Sequence, residues 1–133
     1  MSKYLLDTDI CIYYLKRQHG IAERVQSARI ENCFISEITL AELKFGAANS
    51  LQIEQNIQIV ASFQNIIQIL PIFGSLDFYA SEKARLRKQG TPVDEFDLLI
   101  GATAVTNGLV MATNNTAHFS RITGIVLADW MKQ

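Results

Sequence analysis

Cysteine, proline and glycine are all scarce. The 133 residues include 2 Cys, 2 Pro and 7 Gly. Cys11 and Cys33 sit in apolar surroundings, so they read as reduced core thiols rather than a disulfide framework. So little Pro and Gly excludes collagen-like and low-complexity classes. No uninterrupted apolar run approaches the roughly 20 residues that would span a bilayer. The opening Met1–Leu6 runs straight into Asp7 and lacks a signal-peptide pattern, and the two reduced thiols carry the expectation of a cytoplasmic protein. Nor is there an excess of charge: 12 Lys+Arg stand against 13 Asp+Glu, for a net charge of -1. That balance excludes a protein that holds nucleic acid by bulk electrostatics alone.

What is present is apolar substance: 49% of the residues are hydrophobic and 19% charged. This suits a folded domain with a real core and excludes disorder. No repeat, linker or composition break divides the chain, so a single domain over 1–133 is expected. Strand-like and helix-like segments alternate, as in a parallel sheet covered by helices. Lys3–Leu6, Cys33–Ser36, Ile69–Phe73, Leu109–Thr113 and Ile125–Leu127 read as strands. Helices are expected after Asp7, after Ser36, over Ile53–Ile67, over Leu76–Gln89 and over Phe96–Asn107. Gly90 and Gly108 end the last two. In the helix after Ser36, Leu40, Leu43 and Ala47 form the expected core face. In the next, Ile53, Ile57, Val60, Ile66 and Ile67 recur near a 3.6-residue period. The implied architecture is a three-layer α/β/α sandwich around four to five parallel strands.

In such sheets the ligand crevice lies beyond the carboxyl ends of the strands. Asp7 and Asp9 follow the first strand, and Asn114 and Asn115 follow the strand ending at Thr113. Glu42 and Asp97 lie early in two helices. Carboxylates gathered from separate elements repel one another and raise each other's pKa unless a cation neutralises them. An all-oxygen set suits a hard ion such as Mg²⁺. Metal-assisted phosphodiester hydrolysis is the chemistry such a crevice favours. Each acid also has a structural explanation. Asp7 or Asp9 can cap the first helix, Thr39–Glu42 fits a capping box, and Asp97 suits a first helical turn.

Four ordered blocks make the chain resemble the PIN-domain family, specifically the VapC-type ribonuclease toxins of type II toxin–antitoxin systems. They are Leu5–Ile12, Ile35–Ala47, Gly90–Ala102 and Gly108–Ile122. The resemblance implies a Mg²⁺- or Mn²⁺-dependent endoribonuclease acting on structured RNA, tRNA among the candidates. It also implies a homodimer, a cognate VapB-type antitoxin and contact with DNA only through that antitoxin. Carried over by position, Asp7, Glu42 and Asp97 fall on the three catalytic and metal-binding acids, and Asn115 on a fourth polar position. An amide there brings no charge, which weakens the expectation of two tightly held ions. Asp9, Thr113 and Asn114 are accessory candidates. Asp94 and Glu95 read as a solvated lead-in, and His118 as a surface histidine in a polar loop. Lys83, Arg85, Arg87 and Lys88 have two readings, a solvated helix face or a contact for RNA phosphates.

Two other functions fit parts of the pattern. A strand followed by Asp-x-Asp also opens haloacid-dehalogenase-like phosphatases, in which the first Asp is a covalent nucleophile. The chain is short for that fold and has no late Lys-plus-acid block; an aspartyl-phosphate on Asp7 would mark it. An inactive module kept for protein binding is the other. It would show no Mn²⁺ binding dependent on Asp7, Glu42 and Asp97.

Overall fold

The computed structural model describes residues 2–132. Five strands form one parallel sheet: β1 (Tyr4–Leu6), β2 (Cys33–Ser36), β3 (Gln68–Leu70), β4 (Val110–Thr113) and β5 (Leu127–Asp129). Their spatial order is β3-β2-β1-β4-β5. The chain therefore builds outward from β1 to β3, then crosses back to add β4 and β5 on the other side. β1 and β4 meet at the switch point, where a crevice opens at the carboxyl ends. Register places Leu6 beside Ala112 and Thr113 beside Asp129.

The period-2 alternation of the strands separates two cores. Leu6, Ile35 and Ala112 face α1 (Thr8–Leu15), α2 (Ile21–Ala28), α3 (Glu37–Ala48) and α4 (Ile53–Ile66). Leu5 and Met111 face α5 (Leu76–Lys88), α6 (Glu95–Thr106) and α7 (Thr116–Phe119). Trp130 is buried on the first side, with Tyr4 against its ring at 5.1 Å. Cys11 and Cys33 are both buried and free. No helix among the described residues is long and apolar enough to cross a membrane.

α5 and α6 end as the glycines require. Gly90 and Gly108 have φ of +71° and +66°. Thr91 N–H reaches back to Leu86 O at 3.0 Å, and Leu109 N–H to Ala104 O at 2.9 Å, closing each helix with a Schellman turn.

Several expectations are corrected. α3 starts at Glu37, because Ser36 Oγ accepts the Ile38 N–H and caps it; Thr39 and Glu42 form no capping box. On α4 the inward residues are Val60 and Phe63, whereas Ile53, Ile57 and Ile66 are exposed. The helix is apolar on more than one face, so periodicity could not orient it. Only Val60 and Ile67 of the expected set are buried. Leu40 is half-buried, and Thr39 takes the fully buried place beside Leu43 and Ala47. β3 stops at Leu70, since Pro71 follows and Phe73 lies in an exposed 3-10 turn. β5 begins at Leu127, while Val126 O already accepts the Met111 N–H at 2.7 Å. α2, with Ile21 and Val25 buried one turn apart, and α7, inside the supposed polar loop, were not expected.

Candidate active site

Asp7 occupies the position where β1 becomes α1. Its N–H donates to Ala112 O at 3.0 Å, tying it to β4, and it is the N-cap of α1. Asp7 is 6% exposed. One oxygen accepts from Thr8 N–H at 2.7 Å, the other from Thr113 Oγ1 at 2.9 Å. Thr113 is fully buried at the end of β4, and its Oγ1 in turn accepts the Asn115 N–H at 2.9 Å. Burial raises the Asp7 pKa to about 6 despite these hydrogen bonds, with Asp97 and Asp9 adding repulsion.

Glu42 projects from the second turn of α3 and is half-buried. Its Oε1 accepts from Thr8 Oγ1 at 2.7 Å, and Thr8 Oγ1 lies 3.1 Å from Thr39 Oγ1. Thr8 thus links the α1 and α3 sides of the crevice. Asp97 stands in the first turn of α6, whose N-cap is Asp94. Its pKa is also raised to about 6, first by burial and then by Asp94, Glu42 and Asp9. His118 Nε2 lies 3.2 Å from Asp97 Oδ2.

The structure thus brings Asp7 from the β1–α1 junction, Glu42 from α3 and Asp97 from α6 to one end of the sheet, near enough for Asp97 to act on Asp7 and Glu42 on Asp97 electrostatically. Asp9 is exposed on α1 but belongs to the same field. Among the described residues no three His, Cys, Asp or Glu side chains form a ready-made cation cage. The donor set still suits a hard dication: Asp7 and Asp97, whose carboxyls are held up first by burial and then by neighbouring acids, gain most from a positive charge beside them. Nearby, Asn114 Nδ2 is 3.5 Å from Tyr13 OH, while its Oδ1 is buried without a partner among the described residues. Asn115 is exposed at the N-cap of α7 and makes no side-chain cap.

The basic segment divides. Lys83 pairs with Glu95 at 2.7 Å, and Tyr79 OH donates to the same carboxylate. Arg85 grips Glu82 through two hydrogen bonds of 2.9 and 2.8 Å and donates to Arg121 O. Arg87 and Lys88 are exposed. Sequence reasoning missed Thr8 and Thr39, for which a hydroxyl beside an acid is too common a signal. It also placed His118 on the surface, whereas the ring is half-buried against Asp97.

A sheet ordered 3-2-1-4-5 with acids at its switch point is the arrangement of a PIN domain, and the family model for the PIN domain matches residues 4–125. The chain belongs to the PIN-domain family, among the VapC ribonucleases. It is 38% identical to the tRNA(fMet)-specific endonuclease VapC of Salmonella typhimurium, over 98% of this chain and 99% of that one. Ribonuclease VapC2 of Haemophilus influenzae is 35% identical over 98% of this chain and all of its own. Among solved structures, a DNA-bound VapBC complex from Salmonella typhimurium superposes with a TM-score of 0.90 at 37% identity, covering 98% of this chain and 99% of that one. The phosphatase reading of Asp-x-Asp is thereby set aside.

Proposed function

We propose that the protein is a Mg²⁺- or Mn²⁺-dependent endoribonuclease, the toxin of a VapBC-type pair, which cuts tRNA in the cytoplasm and so stops translation. The observation that carries this reading is the convergence of Asp7, Glu42 and Asp97 at the β1–β4 switch point. Two of these acids have pKa values raised to about 6. The substrate class follows the Salmonella typhimurium relative described above, whose name specifies a tRNA.

Asp7, Glu42 and Asp97 would hold the ion. When bound, it supplies Lewis-acid polarisation of a phosphate and a water acidic enough to act as hydroxide at neutral pH. The protein's own part is positioning. Thr113 and Thr8 N–H fix the Asp7 carboxylate, and Thr8 Oγ1 fixes Glu42. Asn115, at the open edge of the crevice, offers an amide to a phosphate oxygen or an ordered water; Asn114 Oδ1, lacking a partner among the described residues, offers an acceptor on the same edge. Of the basic segment, Arg87 and Lys88 are the side chains not committed to a carboxylate, and they carry the contact with RNA phosphates. With four of the 13 acids drawn into the crevice, the remaining nine face 12 Lys+Arg, so the outer surface is mildly basic.

Partner binding completes the reading. Phe45, Leu51, Ile53, Ile57 and Ile66 are exposed on or between α3 and α4. A cavity of about 250 Å³ lined by Ile12, Leu43 and Val60 runs up to Glu42. Exposed apolar area of this kind calls for partners: a second copy of the chain and a VapB-type antitoxin, with DNA bound only through the latter. The test is a brief pulse of expression followed by mapping of new 5′ ends across total cellular RNA. Cuts confined to one or a few tRNAs support the proposal. Cuts that persist unchanged in Asp97→Asn would sink it.

A further inference from the structure

Asp97 and Gly101 are four residues apart on α6 and so share one face of that helix. Gly101 matters because of what lies over it. A Cβ there would stand 2.4 Å from Ile122 Cδ1 and 3.6 Å from Phe119 Cδ1. The missing side chain lets the α7 segment dock close to α6, with Phe119 and Ile122 buried in the contact. His118, the neighbour of Phe119, then falls one turn along α6 from the dock, against Asp97. The segment is held at both ends. Asn115 N–H is bound to Thr113 Oγ1 at 2.9 Å, and Thr123 N–H to the buried Glu82 at 2.9 Å. The imidazole also packs edge-on against Phe119, with ring centroids 5.9 Å apart.

We propose that His118 is a positioning residue: the docked α7 segment holds its Nε2–H on Asp97 Oδ2, fixing the orientation in which Asp97 meets the cation. Asp97 is the acid that needs such a donor. Asp7 and Glu42 each have an oxygen held by a threonine hydroxyl, through Thr113 and Thr8, and the nitrogen beside the third acid is His118 Nε2, 3.2 Å from Asp97 Oδ2. Both the neutral ring protonated at Nε2 and the imidazolium can donate this bond, so the role does not depend on charge. Donors that orient metal-bound carboxylates typically account for about 10–100-fold in metal affinity. The proposal rests on the reading of the crevice as a cation site.

The experiment is a Mn²⁺ titration of the purified protein, free Mn²⁺ being followed by electron paramagnetic resonance. Thermal melts without metal serve as a control for folding. Binding that Asp7→Asn weakens establishes the cation site. His118→Ala should then bind Mn²⁺ about tenfold or more weakly while its metal-free melt stays close to that of the wild type. His118→Gln keeps an N–H donor and should stay within about threefold of the wild type. Equal affinity in His118→Ala overturns the positioning role and leaves the cation site standing, as does a glutamine variant no better than alanine. A ¹⁴N coupling on bound Mn²⁺ that vanishes in His118→Ala makes the imidazole a ligand and equally overturns it. No binding by the wild type, or undiminished binding by Asp7→Asn, removes the cation site and the proposal together.

Discussion

Replacing Asp7 by Asn should abolish cleavage yet make the metal-free protein more stable at neutral pH. The folded protein holds this carboxyl at about 6 against an ordinary 3.8. Between those values the folded state binds more protons than the unfolded state, so stability falls as pH rises and the penalty is complete above pH 6 to 7. At 1.36 kcal/mol per pH unit, the penalty comes to about 3 kcal/mol. The amide avoids it but has one acceptor oxygen where the carboxylate has two. Either Thr8 N–H or Thr113 Oγ1 therefore loses its partner, costing about 1 kcal/mol. The net expectation is a gain of about 1–2 kcal/mol at pH 7.5, or several degrees in Tm for a chain of this size. At pH 4 the gain should be gone. Millimolar Mg²⁺ or Mn²⁺ should raise the wild-type Tm and leave that of the variant unchanged, because only a state that binds the ion is stabilised by it. Calorimetry or denaturant melts at pH 4 and 7.5, with and without metal, read all of this. An Asp7→Asn protein less stable than the wild type at pH 7.5, or a difference that does not change with pH, would refute the reasoning.

Three further outcomes follow from the same structure. Glu82→Ala removes the acceptor shared by Arg85 and Thr123 N–H and should cost about 2–3 kcal/mol, read from denaturant midpoints. The Glu82 pKa is lowered from 4.5 to about 2, foremost by the Arg85 hydrogen bond, so its stabilising contribution is present above pH 4.5 and is lost as pH falls toward 2. Ile53→Lys and Ile57→Lys on the outer face of α4 should leave stability within about 0.5 kcal/mol but weaken self-association, as measured by sedimentation. Arg87→Ala with Lys88→Ala should weaken RNA binding and flatten its salt dependence by a slope of about 2, whereas the committed Lys83 should contribute less.

The polar ends of short apolar strands were legible because the strands are unmistakable. Leu5–Leu6 before Asp7 and Met111–Ala112 before Thr113 leave the sheet at the same end, and register then sets Asp7 against Ala112 and Thr113. Strand order was not legible: nothing local says that β4 pairs with β1. Only that pairing explains why residues 106 positions apart share a hydrogen bond. The outward turn of Ile53, Ile57 and Ile66 escaped periodicity because α4 carries more apolar residues than one face can bury. His118 escaped for a different reason. Its place depends on Gly101, an absence of side chain 17 residues earlier that admits Phe119 and Ile122. Close approach of this kind leaves no signature in the loop's own composition.

Cleavage of tRNA by the purified protein, run side by side with Asp7→Asn and Asp97→Asn, tests the role of the crevice most directly. The wild type should cut at discrete sites with Mg²⁺ or Mn²⁺ present and stop when the metal is chelated. Both variants should be folded and at least about 100-fold slower. Equal cleavage by wild type and Asp7→Asn, or cleavage indifferent to chelation, would contradict it.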